Sequence, residues 1–212
     1  MANKFALKFD VSKAEAVAEQ LRGLTAEQIT KTTVPALNQV LDRTYDLARE
    51  RITVGINLSD DYLRRKFKVV HATEARPTGE ITAFGGSVNQ TPLSRYNGQM
   101  VLVPKKNPNR TRYKGGQSRL GIPWDKKQGG VQVEVTRGNT TTLEHAFFQP
   151  LRGGNGLGVF TRSKTGVKRH RYGPAVYQLF RYQAERIEGD VLDDMDATIA
   201  AAAAKALQDA LE

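Results

Sequence analysis

From Lys4 to Asp10 apolar and polar positions alternate, with Phe5, Leu7 and Phe9 set apart by Ala6 and Lys8. That period of two predicts a short strand with one apolar face. Ser12 stands three residues before Glu15, the spacing of a capping box, and opens a helix predicted to run to about Arg22, where Gly23 ends it. From Ala26 to about Ile52 the positions Ile29, Thr33, Leu37, Val40, Leu41, Thr44, Leu47, Ala48 and Ile52 recur with a helical period. Pro35 interrupts them and has no N–H to donate, so a kink or a fresh helix start is expected there. The polar side carries Asp42, Arg43, Asp46, Arg49, Glu50 and Arg51, which read as solvent-facing pairs three and four apart.

After Gly55, Ser59-Asp60-Asp61 caps a short predicted helix that ends in the cations Arg64-Arg65-Lys66. Phe67–Ala75 and Gly79–Phe84 read as two strands of a hairpin turning at Pro77-Thr78-Gly79. Thr91-Pro92-Leu93 starts an irregular passage, and Met100–Val103 has the character of one more short strand. Val131, Val133 and Val135 alternate with Gln132, Glu134 and Thr136, the clearest strand pattern in the chain. His145–Leu151 and Leu157–Thr161 flank Gly153-Gly154-Asn155-Gly156 as a second hairpin. Pro174 is expected in the first turn of a C-terminal helix, with Val176, Leu179, Phe180, Ala184 and Ile187 on one face. Leu192, Met195, Ile199, Ala203, Ala206 and Ala210 continue that period. Gly189-Asp190 either breaks or only weakens the helix, and Asp190, Asp193, Asp194 and Asp196 would suit a new helix start. The order of elements predicts an α+β fold, an antiparallel sheet packed against long N-terminal and C-terminal helices. A single domain over residues 1–212 is expected, with 174–211 as its C-terminal helical segment.

Charge changes this picture more than composition does. The chain has 212 residues and a net charge of +10, and the excess is confined to its middle. Residues 1–60 hold 8 Lys/Arg and 8 Asp/Glu, residues 61–181 hold 22 and 6, and residues 182–212 hold 2 and 8. Two stretches concentrate it. Residues 104–127 read as a basic, mobile insertion loop, with Lys105, Lys106, Arg110, Arg112, Lys114, Arg119, Lys126 and Lys127 against one acid, Asp125. Tyr113 and Trp124 are the aromatics there that can stack on a base or anchor in a partner groove. The second stretch packs Arg162, Lys164, Lys168, Arg169, His170 and Arg171 into ten positions just before Tyr172-Gly173-Pro174. Such a distribution fits a polyanion-facing surface, head-to-tail packing between copies, or a merely solvated basic face.

Little in the chain points to catalysis. No cysteine is present, which removes disulfides, thiolate metal sites and cysteine nucleophiles. His71, His145 and His170 are widely separated, and each is expected to be structural, with no metal bound. His170, set among cations, should resist protonation by like-charge repulsion. The glycines at 153–158 precede a strand and do not open a helix, the wrong context for a phosphate loop, and no nucleophile elbow occurs. The expectation is a non-enzyme without catalytic residues or cofactor. No apolar run is long enough to span a membrane. MANKFALKFD lacks the features of a secretory signal, so use without export is expected.

Along the chain, in order, come PALNQVLDRTYDLARERI, LRRKFKV, GEITAFG, and then HAFF, VFTR and RYGPAVYQLF leading into the C-terminal helix. Taken together, these segments resemble the minor tail protein Z (tail completion) family of long-tailed bacteriophages. The order of AFF, VFTR and YGPAV carries most of the likeness, with Tyr172, Gly173 and Pro174 as its structural core. The resemblance implies a structural virion protein, assembled in the host cytoplasm, that completes the head-proximal end of the tail and helps join head to tail. It implies a ring of copies, sixfold by analogy with the tail tube, contacting tail terminator, tail tube or head-tail adaptor proteins. In such a ring Lys105, Lys106, Arg110, Arg112, Lys114, Arg162, Lys164, Lys168, Arg169 and Arg171 would face passing DNA or a protein partner. Two other readings stay open: a basic nucleic-acid-binding module without a virion role, and, more weakly, a hydrolase assembled only in three dimensions.

Overall fold

The computed structural model describes residues 4–10, 25–85, 90–104, 127–152, 156–162 and 165–209. The Ser12–Arg22 helix and the core of the basic loop, residues 105–126, lie outside them. The chain forms two compact units. One comprises Met1–Thr53, Asp60–Asn89 and Ala175–Glu212, and the other Val54–Ser59 and Gln90–Pro174.

The first unit is organised by helix α1, Ala26–Gly55. A reciprocal capping box opens it: Thr25 N–H donates to Gln28 Oε1 at 2.8 Å, and Gln28 N–H to Thr25 Oγ1 at 3.3 Å. Val34, Leu37, Val40, Leu41, Ala48 and Ile52 are buried along one face. Burying each large side chain of this kind contributes roughly 1.5–3 kcal/mol. Thr33 and Thr44 share that face, and each donates its hydroxyl to the carbonyl four residues back, at 2.7 and 2.8 Å. The helix runs through Pro35, and no new helix starts there. Pro35 is exposed, so the carbonyl of Lys31, which loses its helical donor, stands where water can replace it.

The charged side of α1 departs from a set of solvated pairs. Arg49 is only 9% exposed and bonds Asp60 of the short helix α2 (Asp60–Arg64) as well as Asp46. Arg43 donates to Asp194 at 2.6 Å, Arg51 to Asp190 at 3.3 Å, and Asp42 meets His71 at 2.9 Å. Three of these five contacts reach partners more than 28 residues away, which no helical spacing could reveal.

Strands β1 (Lys4–Asp10), β2 (Phe67–Val70) and β3 (Thr78–Phe84) form an antiparallel sheet in the order β1-β3-β2. The hairpin is as expected but β2 is shorter, because residues beyond Val70 turn away. Asn38 of α1 holds that turn, giving and accepting one bond each with the Ala72 backbone at 3.1 and 2.8 Å. Helix α3 (Val176–Asp209) lies on β1 and β3, with Phe180 edge-on to Phe5 and Phe67 at 5.6 and 5.0 Å. It is one continuous helix. The acidic cluster therefore caps no new helix start; Asp190 and Asp194 instead hold Arg51 and Arg43.

The second unit holds two antiparallel sheets. The first follows the order β4-β10-β9-β8, from Thr91–Pro92, Lys168–Gly173, Leu157–Arg162 and Ala146–Pro150. The second follows β5-β6-β7, from Gln99–Pro104, Lys127–Thr136 and Asn139–Glu144. Among the described residues, two long helices, one short helix and three antiparallel sheets make the fold α+β. The irregular passage after Pro92 contains a 3-10 turn, Leu93–Arg95, and then Tyr96, which is fully buried.

Candidate functional site

The basic stretch before the C-terminal helix is a strand. In β10 Lys168 pairs with Arg162, Arg169 with Thr161, His170 with Phe160 and Arg171 with Val159. Because strand side chains alternate, this splits the cations between two faces. Arg162 and Lys168 share a face with His170; Arg169 and Arg171 lie on the other. The single patch suggested by their closeness in sequence does not form.

Like charges opposite one another across a ladder repel, and here they diverge. Arg162 places its guanidinium 5.2 Å from the Phe147 ring centre, while Lys168 Nζ donates to Gln149 Oε1 at 3.0 Å. On the reverse face Arg171 Nε donates to Thr161 Oγ1 at 2.8 Å. Among the described residues none of Arg162, Lys168, Arg169 and Arg171 meets a carboxylate, and all four are exposed. Their charge remains available to an anionic partner. Lys105, Lys106, Arg110, Arg112, Lys114 and Lys164 lie outside the described residues.

A row of rings crosses the sheet between these cations. Phe147, Phe160 and His170 occupy directly opposed positions on β8, β9 and β10. Phe147 and Phe160 stack at 6.2 Å, Phe160 and His170 at 4.5 Å and 16°, and Tyr172 closes on His170 at 4.1 Å. Since the ring faces cover one another, the row builds the sheet and is no open platform for a base. Burial holds the His170 imidazole below its usual pKa, the direction expected from the sequence but with desolvation as its cause.

Tyr172-Gly173-Pro174 has a specific structural task. Tyr172 ends the ring row. Gly173 lies so close under Tyr96 that a Cβ there would come within 2.6 Å of that ring. Tyr96 donates its hydroxyl to the Pro174 carbonyl at 2.7 Å, giving a buried phenol the partner it needs. Ala175 N–H then donates to Gln178 Oε1 at 3.1 Å and caps α3. Pro174 thus precedes the cap and stands outside the first helical turn, where its fixed φ sets the chain's entry. Sequence reading missed Tyr96, whose partner lies 78 residues away; its place in an irregular, Gly-flanked passage gave no periodic signal.

Among the described residues no group of three or more His, Cys, Asp or Glu could hold a metal ion, and no helix is long and apolar enough to cross a membrane. No curated protein and no solved structure matched the chain. The profile of one family, prophage minor tail protein Z (GPZ), matches residues 12–212, which include both long helices, the ring row and the Tyr-Gly-Pro junction. The chain belongs to that family and is a phage tail protein.

Proposed function

We propose that this tail protein completes the head-proximal end of the tail as a ring of copies and helps join tail to head. The observation that carries the reading is the division of charge between the two units. Residues of the second unit include 16 Lys/Arg against 3 Asp/Glu, whereas those of the first include 16 against 19. A cationic unit and a slightly acidic unit in one chain suit a heterologous contact, in which the basic unit of one copy meets the acidic unit of the next. Closing such contacts gives a ring, sixfold if it matches the tail tube, and its neighbours would be tail terminator, tail tube or adaptor proteins. The cations of β9 and β10, together with the 104–127 insertion, would then face either the adjoining copy or DNA passing through.

A direct test replaces Arg162, Arg169 and Arg171 together with Glu in the phage and counts joined particles. Tails that form but do not join heads support the proposal; normal joining removes it. The uncompensated cations also favour a second reading, a nucleic-acid-binding module. In that case duplex DNA affinity should fall steeply with salt, because each neutralised phosphate releases counterions. The triple variant should then flatten the slope.

A further inference from the structure

His170 is partly exposed as a residue, yet its Nε2 atom is sealed from solvent and has no hydrogen-bond partner among the described residues. The seal is geometric. Phe160 lies nearly parallel to the imidazole at 4.5 Å, and Tyr172 closes on it, tilted, at 4.1 Å. The β9 backbone blocks the edge at Gly158, where a Cβ would come within 2.6 Å of Nε2, 2.8 Å of Leu151 and 2.9 Å of Phe160. A neutral imidazole tolerates this site because a bare ring nitrogen left without a donor costs less than a buried N–H without an acceptor.

Protonation changes that balance. It would place an N–H at Nε2 with nothing to receive it, and a positive charge in a row of rings. Charged groups on the same face are Arg162 on β9 and Lys168 on β10; Tyr172 is the titratable side chain in contact. Arg169 and Arg171 stand on the reverse face, and Arg95 follows β4. The neighbouring strands β4, β8 and β9 and β10 itself contain no Asp or Glu. Those strands offer no counter-ion for an imidazolium.

We propose that the β8–β9–β10 strands form a proton-sensitive clasp: neutral His170 locks the ring row, and acidification releases it. The depressed pKa of His170 agrees in sign. A histidine whose folded pKa is lowered contributes stability that is complete above the unfolded value near 6.5 and is lost as pH falls through the folded pKa. Release would loosen the strands that present Arg162, Lys168, Arg169 and Arg171. Acid would therefore change how those cations are displayed without changing their charge.

Amide hydrogen exchange on the full chain at pH 7.5, 6.5 and 5.5, corrected for intrinsic rates, tests the clasp. In the wild type, residues 157–162 and 168–173 should lose protection on acidification, by up to about tenfold per pH unit, the limit for one proton. Residues 78–84 in the other unit should keep theirs. His170→Gln and His170→Phe should abolish this pH dependence whatever they do to overall stability. Retention of the same acid loss in both variants, or no acid loss in the wild type, overturns the proposal.

Discussion

Two glycines and one tyrosine decide how the second unit closes. Gly158 and Gly173 each lie against rings where a Cβ has no space. Gly158→Ala and Gly173→Ala should each destabilise the protein by roughly 1–3 kcal/mol through overpacking, read as a lower urea midpoint. Gly189 of α3 has nothing near its absent Cβ and sits within a helix, so Gly189→Ala should stabilise by about 0.5–1 kcal/mol in the same assay. The opposite signs separate a packing role from a propensity effect. Tyr96→Phe keeps the ring over Gly173 but strands the Pro174 carbonyl, for an expected loss of about 0.5–1.5 kcal/mol. In the first unit, hydrogen bonds from Arg49 and then Arg64 hold the Asp60 carboxyl below its ordinary pKa. A depressed carboxylate contributes stability above its unfolded value, near 3.8, that disappears as pH falls through the folded one. Asp60→Asn should therefore weaken the protein at neutral pH and shrink its acid-side loss, as thermal melts from pH 7 to pH 3 would show.

At the scale of elements, legibility followed how much apolar surface an element buries. Helix α1 and helix α3 each commit a long stripe to the core, so their periods survived Pro35 and Gly189. The three valines of β6 were equally plain. Strand β7, Asn139–Glu144, was missed because its first four residues are exposed and polar, leaving no alternation to read. Strand β10 was hidden differently. Two of its positions on the ring-row face are His170 and Tyr172, amphipathic residues that look polar in a sequence, yet His170 stacks on Phe160 and Tyr172 on His170. The candidate site inherited that failure: Arg162, Lys168, Arg169, His170 and Arg171, close in sequence, read as one patch, whereas strand pleating divides them. The order of AFF, VFTR and YGPAV was informative for the same reason, since it follows β8, β9 and the junction after β10.

Across the whole molecule, each unit is assembled from stretches far apart in the chain, so no linker composition marks the passage between them. Charge does mark it. Apart from Val54–Ser59, the second unit lies within the segment where the sequence is most basic, and the acidic C-terminal stretch belongs wholly to the first. The cations Arg43 and Arg51 already neutralise two of its acids, leaving Glu188, Asp193 and Asp196 exposed for a neighbour. If adjoining copies meet through these charges, assembly of the purified chain should weaken as salt rises. Reversing Asp193 and Asp196 to Lys should abolish it. Sedimentation at low and high ionic strength would register both effects.

The most direct measurement is electron cryomicroscopy of the assembled phage carrying this chain, with a parallel reconstruction of particles lacking it. A closed ring of copies at the head-proximal end of the tail, with β9 and β10 against a neighbouring copy or the DNA channel, is the expected result. Density for the chain at the distal tip, or as isolated copies along the tube, would contradict it.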